Sequence, residues 1–292
     1  MKTVLHDLEA ACRKGLISDI SLHFSRYLSQ IDPLMDDSVL VAGALAGEYA
    51  ISGEVCVDLK KVAGNTIFSI DENDSLDSPN FTTWVEALKK STVIGDGVNI
   101  TPLVLTKDGH LYLYKYFILE KRLADLIDQR VENSKLNNIS IPDENINKYF
   151  DKNDRDQILS VKLACDLNFL IICGGPGTGK TATAAKILAL FFDKNIVSPD
   201  KVALCAPTGK AAAHLRKSIS ATLSMFSLSD DKLLPEARTI HRLLGVSLDY
   251  KPRLNSNYLL NYKLLILDEA SMVDLALFVN LLEACPSDIR II

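Results

Sequence analysis

The sequence predicts an α/β protein in which a parallel-sheet domain follows a small, mostly helical domain with a β-hairpin. Three observations lead to this prediction. From Asp154 onward, short apolar runs alternate with helical patterns, which is typical of a parallel sheet. Before Thr92, apolar residues recur three and four positions apart, as in amphipathic helices. Between these regions, Lys107-Asp108-Gly109-His110 separates two β-prone runs, and Asp-Gly is a strong hairpin signal.

Residues 1–131 are expected to form the helical domain. Apolar periodicity predicts its helices over 5–16, 20–28, 39–49, 82–90 and 117–131. The hairpin strands are predicted over 102–106 and 111–116. Since side chains alternate along a strand, Tyr112, Tyr114 and Tyr116 would share one face of the second strand. Residues 132–152 are rich in Asn, Ser and charge without clear periodicity, and we interpret them as a linker.

The second domain is expected to span residues 153–292. Its apolar runs predict strands over 167–173, 202–206, 263–268 and 288–292. Helical patterns fill the gaps and predict helices over 154–166, 180–193, 209–222 and 271–284. Strands that alternate with helices in this way favour a parallel sheet covered by helices.

Charge is unevenly distributed along the chain. The net charge is −5 overall, but residues 1–110 carry −7 whereas residues 201–253 carry +5. A basic segment of this kind is the electrostatic footprint of a nucleic-acid groove, and a solvated face is the alternative. No apolar stretch approaches the ~20 residues that span a bilayer, and the N-terminus lacks a secretory signal. We therefore expect a cytoplasmic protein.

A phosphate-binding motif begins the second domain. The segment Gly174-Gly175-Pro176-Gly177-Thr178-Gly179-Lys180-Thr181 fits G-x-x-x-x-G-K-[ST] at every fixed position. Because a strand is predicted before it and a helix after it, its backbone N–H groups would surround a phosphate at the helix N-terminus. Lys180 is expected to contact the β- and γ-phosphates, and the Thr181 hydroxyl to hold Mg²⁺. A Gly-rich turn with a chance lysine would not account for the flanking elements.

Two adjacent carboxylates, Asp268 and Glu269, end a buried apolar strand that begins at Leu264. Strand residues alternate faces, so the two carboxylates are expected to do different work. In nucleoside triphosphatases of this type the Asp holds Mg²⁺, and the following Glu orients and deprotonates the attacking water. A strand that simply ends in acidic residues is the alternative.

Gln157 lies on the helix before the phosphate loop. Its amide carries a donor and an acceptor together, so it could pair with the edge of adenine. An isolated Gln on a helix is otherwise an exposed polar residue, and the assignment depends on its position relative to the loop.

Candidate nucleic-acid contacts follow the second predicted strand. The segment 206–213 (Ala-Pro-Thr-Gly-Lys-Ala-Ala-Ala) opens a helix, and small residues with free N–H groups suit a backbone phosphate. Thr208 and Lys210 lie in it. Thr239 and His241 belong to a second short element in the basic segment, where composition alone favours His241 as a core histidine. Further candidate cations are Arg216, Lys217, Arg238, Arg242, Lys251 and Arg253.

Together, these elements resemble the ordered front half of superfamily I helicases of the RecD type. The matching elements are Gln157, the phosphate loop, Ala-Pro-Thr-Gly-Lys-Ala-Ala, Thr-Ile-His-Arg-Leu-Leu-Gly and Leu-Asp-Glu-Ala-Ser-Met-Val-Asp. The N-terminal part is also similar to that family, which supplies the α subunit of exodeoxyribonuclease V (RecBCD). The similarity lies in 55–59 (Val-Cys-Val-Asp-Leu) and 111–117 (Leu-Tyr-Leu-Tyr-Lys-Tyr-Phe).

The resemblance implies a P-loop NTPase domain of RecA-like fold that uses ATP and Mg²⁺ to move 5′-to-3′ on single-stranded DNA. It implies work at double-strand break ends with RecB and RecC, which the first 131 residues would dock. By family role, Gln157 would read adenine, Lys180 and Thr181 would hold phosphates and Mg²⁺, and Asp268 and Glu269 would hold metal and water. The DNA contacts would be Thr208, Lys210, Thr239 and His241.

Family members close two RecA-like domains on ATP, and the second domain brings an arginine finger. This sequence stops at Ile292, before that domain, so we expect the chain by itself not to hydrolyse ATP. Two alternatives remain open. One is a non-hydrolysing nucleotide-binding subunit that docks partners. The other is a stand-alone RecD-like helicase, which ranks lower because no Gly-rich helical hairpin precedes the motor.

Overall fold

The computed structural model describes residues 4–71, 74–133, 139–175, 177–228, 234–246 and 252–292. The chain divides into two compact units, Met1–Lys121 and Arg122–Ile292. The division lies inside one long helix, whereas the sequence predicted a helical domain up to residue 131 and then a linker. No helix in the described ranges has both the length and the apolar character that crossing a bilayer requires.

The first unit is built around a helix whose middle is buried on all sides. Its helices are α1 (Val4–Arg13), α2 (Asp19–Ile31), α3 (Asp37–Ile51), α4 (Leu59–Val62) and α5 (Phe81–Lys90). In α3, residues 38–47 are all buried. Gly43 and Gly47 allow α2 to pack closely, because a Cβ at either position would lie 2.5 Å from an α2 side chain. The buried indole of Trp84 in α5 donates a hydrogen bond to the Ser38 carbonyl oxygen at 3.0 Å.

The predicted hairpin lies in a small sheet of the first unit. The strands are β1 (Cys56–Asp58), β2 (Thr66–Asp71), β3 (Asp74–Asp77), β4 (Ile94–Gly95), β5 (Leu103–Leu105) and β6 (His110–Leu113). The order β1-β6-β5-β4 places the hairpin strands β5 and β6 at the centre, and β2 pairs with β3 separately.

The prediction that three tyrosines share a strand face is wrong. Strand β6 ends at Leu113, and α6 (Tyr114–Asn133) begins at the next residue. Tyr112 therefore lies on the strand, while Tyr114 and Tyr116 lie in the helix. No Gly or Pro separates strand from helix, so the helical pattern extends back to Tyr114.

The second unit has the predicted parallel α/β architecture. Its helices are α7 (Asp143–Ile146), α8 (Arg155–Asp166), α9 (Lys180–Asp193), α10 (Gly209–Met225), α11 (Ile240–Leu244) and α12 (Leu275–Ala284). Its strands are β7 (Val202–Ala206), β8 (Ala237–Thr239), β9 (Leu264–Leu267) and β10 (Arg290–Ile291). They lie parallel in the order β10-β9-β7-β8, so their carboxyl ends meet at one edge.

The predicted strand over 167–173 is only partly formed. Phe169 makes a single parallel bridge with Ile291, where Leu170 N donates to the Ile291 carbonyl oxygen at 2.9 Å. The neighbouring strand β10 is two residues long, which leaves little ladder to extend. The predicted last helix begins at Leu275 instead of residue 271, because Asp274 caps it and accepts from Leu277 N at 2.9 Å.

Part of the segment that the sequence predicted as linker belongs to the second core. Ile146, Tyr149 and Phe150 are all at most 3% exposed, and Ile139 and Ile141 pack beside them. The ring of Tyr149 lies 4.4 Å from that of Phe226, centroid to centroid. These apolar residues are few and irregularly spaced among Asn and charged residues, so periodicity gave no sign of their burial.

Candidate nucleotide site and nucleic-acid interface

The phosphate loop lies between the bridged segment at Phe169 and helix α9. Gly177 and Gly179 have φ angles of +76° and +83°, in the left-handed region that favours glycine. Lys180, the first residue of α9, donates hydrogen bonds from Nζ to the carbonyl oxygens of Gly174 at 2.7 Å and Gly175 at 2.9 Å. The ammonium group is thus held over the loop, where the charge of a bound phosphate would lie.

The second residue of α9 joins the phosphate loop to strand β9. Thr181 Oγ1 donates to Asp268, with distances of 3.0 Å to Oδ2 and 3.3 Å to Oδ1. Asp268 follows β9 directly, and its own N–H donates to the Cys205 carbonyl oxygen on β7 at 3.0 Å. A hydroxyl and a carboxylate side by side form the all-oxygen donor set that Mg²⁺ prefers. These residues therefore fit the metal that the sequence predicted.

Glu269 lies beside this pair in an uncommon backbone conformation. Its φ and ψ are 55° and 42°, the left-handed region, and its N–H donates to Asp268 Oδ1 at 3.0 Å. The side chain is exposed. The two carboxylates have different surroundings, because Asp268 is partly buried against Thr181 whereas Glu269 is open to solvent.

Gln157 lies in the first turn of α8 and faces α9. Lys186 Nζ lies 3.3 Å from Gln157 Oε1 and 5.4 Å from the centre of the Phe150 ring. A lysine only donates, so the amide oxygen is the atom that meets it. Lys186 was not predicted, because no sequence motif includes it and its spacing of six from Lys180 does not place the two lysines on one face of the helix.

The residues predicted to contact nucleic acid lie at the carboxyl edge of the sheet. Thr208 caps α10, accepting from Ala211 N at 3.2 Å, and Thr239 caps α11, accepting from Arg242 N at 3.2 Å. Lys210 and His241 are both exposed. The alternative that His241 is a core histidine is therefore wrong.

Helix α11 buries its other face. Ile240, Leu243 and Leu244 point into the core at helical spacing, so the residue after Ile240 points to solvent.

A basic cleft adjoins these contacts, between α10 and the β8–α11 segment. It is about 760 Å³ in volume, and its charged lining residues are Arg216, Lys217, Glu236, Arg238 and Arg242. Arg238 donates from Nη2 and Nε to Glu236 Oε2 at 2.7 and 2.9 Å. These hydrogen bonds are the main reason that the pKa of Glu236 lies below its usual value. Glu236 was not predicted; it lies directly before β8, two positions from Arg238, and the sequence predicted no strand there.

Pro176 and Lys251, which the sequence analysis included among the site residues, lie outside the described residues. Arg253 is exposed and packs its side chain against Gly245. The remaining predicted residues are described, and they fall into two groups at the sheet edge. One group surrounds the phosphate loop, and the other lies on and between α10 and α11.

Two family models match the chain. One, described as the N-terminal domain of the RecBCD enzyme subunit RecD, matches residues 13–112. The other, described as an AAA domain, matches residues 157–292, the part of the chain that carries the phosphate loop. The two matched regions lie in the order that the resemblance predicted.

Several curated proteins named RecD or RecD2 are similar to this chain. The RecBCD enzyme subunit RecD of Mycolicibacterium smegmatis is 32% identical over 285 residues, which is 95% of this chain and 49% of that protein. The RecD subunit of Haemophilus influenzae is 28% identical over 100% of this chain and 50% of its own length. The ATP-dependent RecD2 DNA helicase of Deinococcus radiodurans is 33% identical over 64% of this chain and 24% of its own length. The chain spans about half the length of the curated RecD relatives it matches. Because it carries both the RecD N-terminal domain and the AAA domain, and matches these relatives over nearly its whole length, it belongs to the RecD family.

Proposed function

We propose that this chain contributes the first motor domain of an ATP-dependent 5′-to-3′ DNA helicase, the RecD subunit of a RecBCD-type exodeoxyribonuclease V. The observation that carries the proposal is the hydrogen bond between Thr181 and Asp268, because it brings the phosphate loop and the end of β9 into one oxygen-lined site. The names of the similar proteins, a RecBCD enzyme subunit and an ATP-dependent DNA helicase, support the assignment to a helicase subunit.

The residues divide the work of binding ATP. The loop N–H groups and Lys180 would hold the β- and γ-phosphates, and Gln157 would pair with adenine. Thr181 and Asp268 would hold Mg²⁺, which neutralises phosphate charge when bound. Glu269, exposed next to Asp268, would orient the attacking water and accept its proton. Each of these roles relies on positioning and charge, which is how phosphoryl transfer is catalysed.

The nucleic-acid partner would be single-stranded DNA at duplex ends. Thr208, Lys210, Thr239 and His241 would contact its backbone at the sheet edge, where two helix N-termini offer N–H groups. The match of residues 13–112 to the RecD N-terminal domain supports docking of RecB and RecC by the first unit. The complex would act in recombinational repair of double-strand breaks, in the cytoplasm.

The test is nucleotide binding and turnover by the 292-residue chain, with and without single-stranded DNA and the RecB and RecC subunits. Lys180→Gln serves as the blank, and Lys194→Gln, at an exposed lysine at the other end of α9, is the matched control. We expect Mg²⁺-dependent ATP binding that Lys180→Gln abolishes and Lys194→Gln retains. We expect DNA-stimulated turnover only in the assembled complex. A chain that binds no nucleotide, or binds it equally well as Lys180→Gln, would contradict the proposal.

A further inference from the structure

The basic cleft between α10 and β8–α11 continues from the sheet edge along the flank of α10. Gly209, Ala213, Arg216, Ser220 and their neighbours form one stripe of the helix that lines it. The rise from residue 209 to residue 220 is roughly 16 Å at 1.5 Å per residue. At the sheet edge the cleft begins beside Thr239, where the proposed DNA contacts lie. We infer that this cleft is a phosphate-binding groove that carries a single nucleic-acid strand beyond the sheet edge, with Glu236 as an internal counter-ion that the strand displaces.

The inference rests on the proposed function and specifies where the bound strand continues. The lining of the cleft favours a polyanion. The cations Arg216, Lys217, Arg238 and Arg242 are all exposed, and Glu236 is the one carboxylate among the described residues that line the cleft. Three of the four cations are guanidinium groups, whose planar fork matches phosphate oxygens.

The helix residues that line the floor of the cleft have small side chains. Gly209, Ala212, Ala213 and Ala221 have small or no side chains, so a polymer backbone can approach the helix closely. Among the described lining residues, Leu234 is the one large apolar side chain. Protein interfaces instead place aromatic and large apolar residues at their centre. The cleft therefore suits a nucleic-acid backbone better than an acidic protein segment.

Glu236 pairs with one of the cations that line the groove. Its carboxylate accepts both hydrogen bonds from Arg238, and the charges of Arg216 and Arg242 also lower its pKa. An exposed pair of this kind is held weakly. A phosphate that enters the groove can therefore replace Glu236 as the acceptor of the Arg238 hydrogen bonds. Glu236 then weakens binding, because its negative charge repels that of the phosphate.

The test is binding of a fluorescent single-stranded oligonucleotide to the 292-residue chain over a range of salt concentrations. Arg216→Ala and Arg242→Ala should each reduce the slope of log K against log salt by about 0.7, which is about fivefold in affinity at 0.1 M salt. Arg216→Lys should keep the slope. Glu236→Gln should tighten binding roughly twofold to fivefold. Lys162→Ala, at an exposed lysine that pairs with Asp143 on α7, should change neither quantity.

Three results would overturn the inference. In the first, both Arg variants keep the wild-type slope while Lys210→Ala lowers it, which leaves the proposed function standing without this groove. In the second, a polyglutamate peptide loses affinity in the Arg variants while DNA binding is unchanged, which makes the cleft a protein site. In the third, the wild-type chain binds no single-stranded DNA, so that the proposed function fails as well.

Discussion

Thr181 and Asp268 are 87 positions apart in the sequence, yet Thr181 Oγ1 lies 3.0 Å from Asp268 Oδ2. The contact joins the first turn of α9 to the end of β9, through two residues to which the sequence analysis assigned the same metal. Both side chains offer oxygen, which is the donor atom that Mg²⁺ prefers.

The first prediction concerns this pair. Thr181→Val keeps the side-chain shape but removes the hydroxyl, so we expect apparent Mg²⁺ affinity in nucleotide binding to fall about 10–100-fold. Thr181→Ser restores the hydroxyl and should restore affinity. Titration of Mg²⁺ at fixed nucleotide measures the effect. Equal Mg²⁺ affinity in the Val and Ser variants would remove Thr181 from the metal site.

The second prediction compares two glycines at the N-termini of neighbouring helices. Gly179 has φ +83°, so Gly179→Ala should destabilise the second unit by about 1–2 kcal/mol, although no atom lies within 4 Å of the added Cβ. Gly209, at the start of α10, has open space and no positive φ, and Gly209→Ala should stabilise by about 0.4–1 kcal/mol. Urea unfolding measures both. Changes of the same sign would show that backbone conformation is not the cause.

The third prediction concerns a buried arginine on α6. Arg130 is 4% exposed and donates to the carbonyl oxygens of Leu282 and Cys285 at the end of α12, at 2.8 and 3.0 Å. Arg130→Met leaves these carbonyls without that donor, so we expect a loss of about 1.5–3 kcal/mol in the stability of the second unit.

Arg122 provides the matched control for Arg130. It lies on the same helix and pairs with Glu283 of α12 at 2.8 Å, but this pair is much less buried, with side chains 42% and 25% exposed. Arg122→Met should therefore cost only about 0.2–1 kcal/mol. Denaturant unfolding of both variants checks the order, and an equal loss would mean that burial does not distinguish the two arginines.

The fourth prediction uses cysteine as a probe of the nucleotide site. All six cysteines lie within the described ranges, and Cys173, next to the phosphate loop, is the exposed one. Burial raises the pKa of Cys165 to about 11 and that of Cys285 to about 12, so these thiols stay protonated and unreactive at pH 8. A maleimide should therefore label Cys173 first.

Nucleotide should protect Cys173 from labelling. With ADP and Mg²⁺ at ten times the dissociation constant, the rate should fall about tenfold, because only the free fraction reacts. Cys173→Ser identifies the labelled site, and Lys180→Gln should abolish protection. Labelling at the same rate with and without ADP would place the nucleotide elsewhere.

Local patterns predicted most of the second unit. The apolar runs at 202–206 and 263–268 became β7 and β9, because buried parallel strands need continuous apolar residues. The phosphate loop was predictable because Gly177 and Gly179 adopt positive φ angles that favour glycine, and Lys180 follows them at the fixed spacing of the motif. The helical periodicity before Thr92 likewise predicted α1, α2, α3 and α5 of the first unit.

The rest depended on contacts between distant residues. Residues 139–150 looked like a polar linker, and the burial of Tyr149 within them arises from its contact with the distant Phe226. The cleft at Glu236 could not be found from charge counts, because the pairing of Glu236 with Arg238 depends on β8. Exposure of His241 was within reach of the sequence, since the spacing of Ile240 and Leu244 already defines the buried face of α11.

Glu269 combines a strained backbone conformation with the role in water activation that we propose for its carboxylate. A φ of 55° favours Gly or Asn, and holding another residue in this conformation costs about 1–3 kcal/mol. Replacing Glu269 with Gly relaxes the turn and removes the carboxylate in one substitution. We therefore expect stabilising substitutions at this position to come at the expense of the glutamate. Under the proposed function, stability and ATP hydrolysis therefore place opposite demands on this single residue.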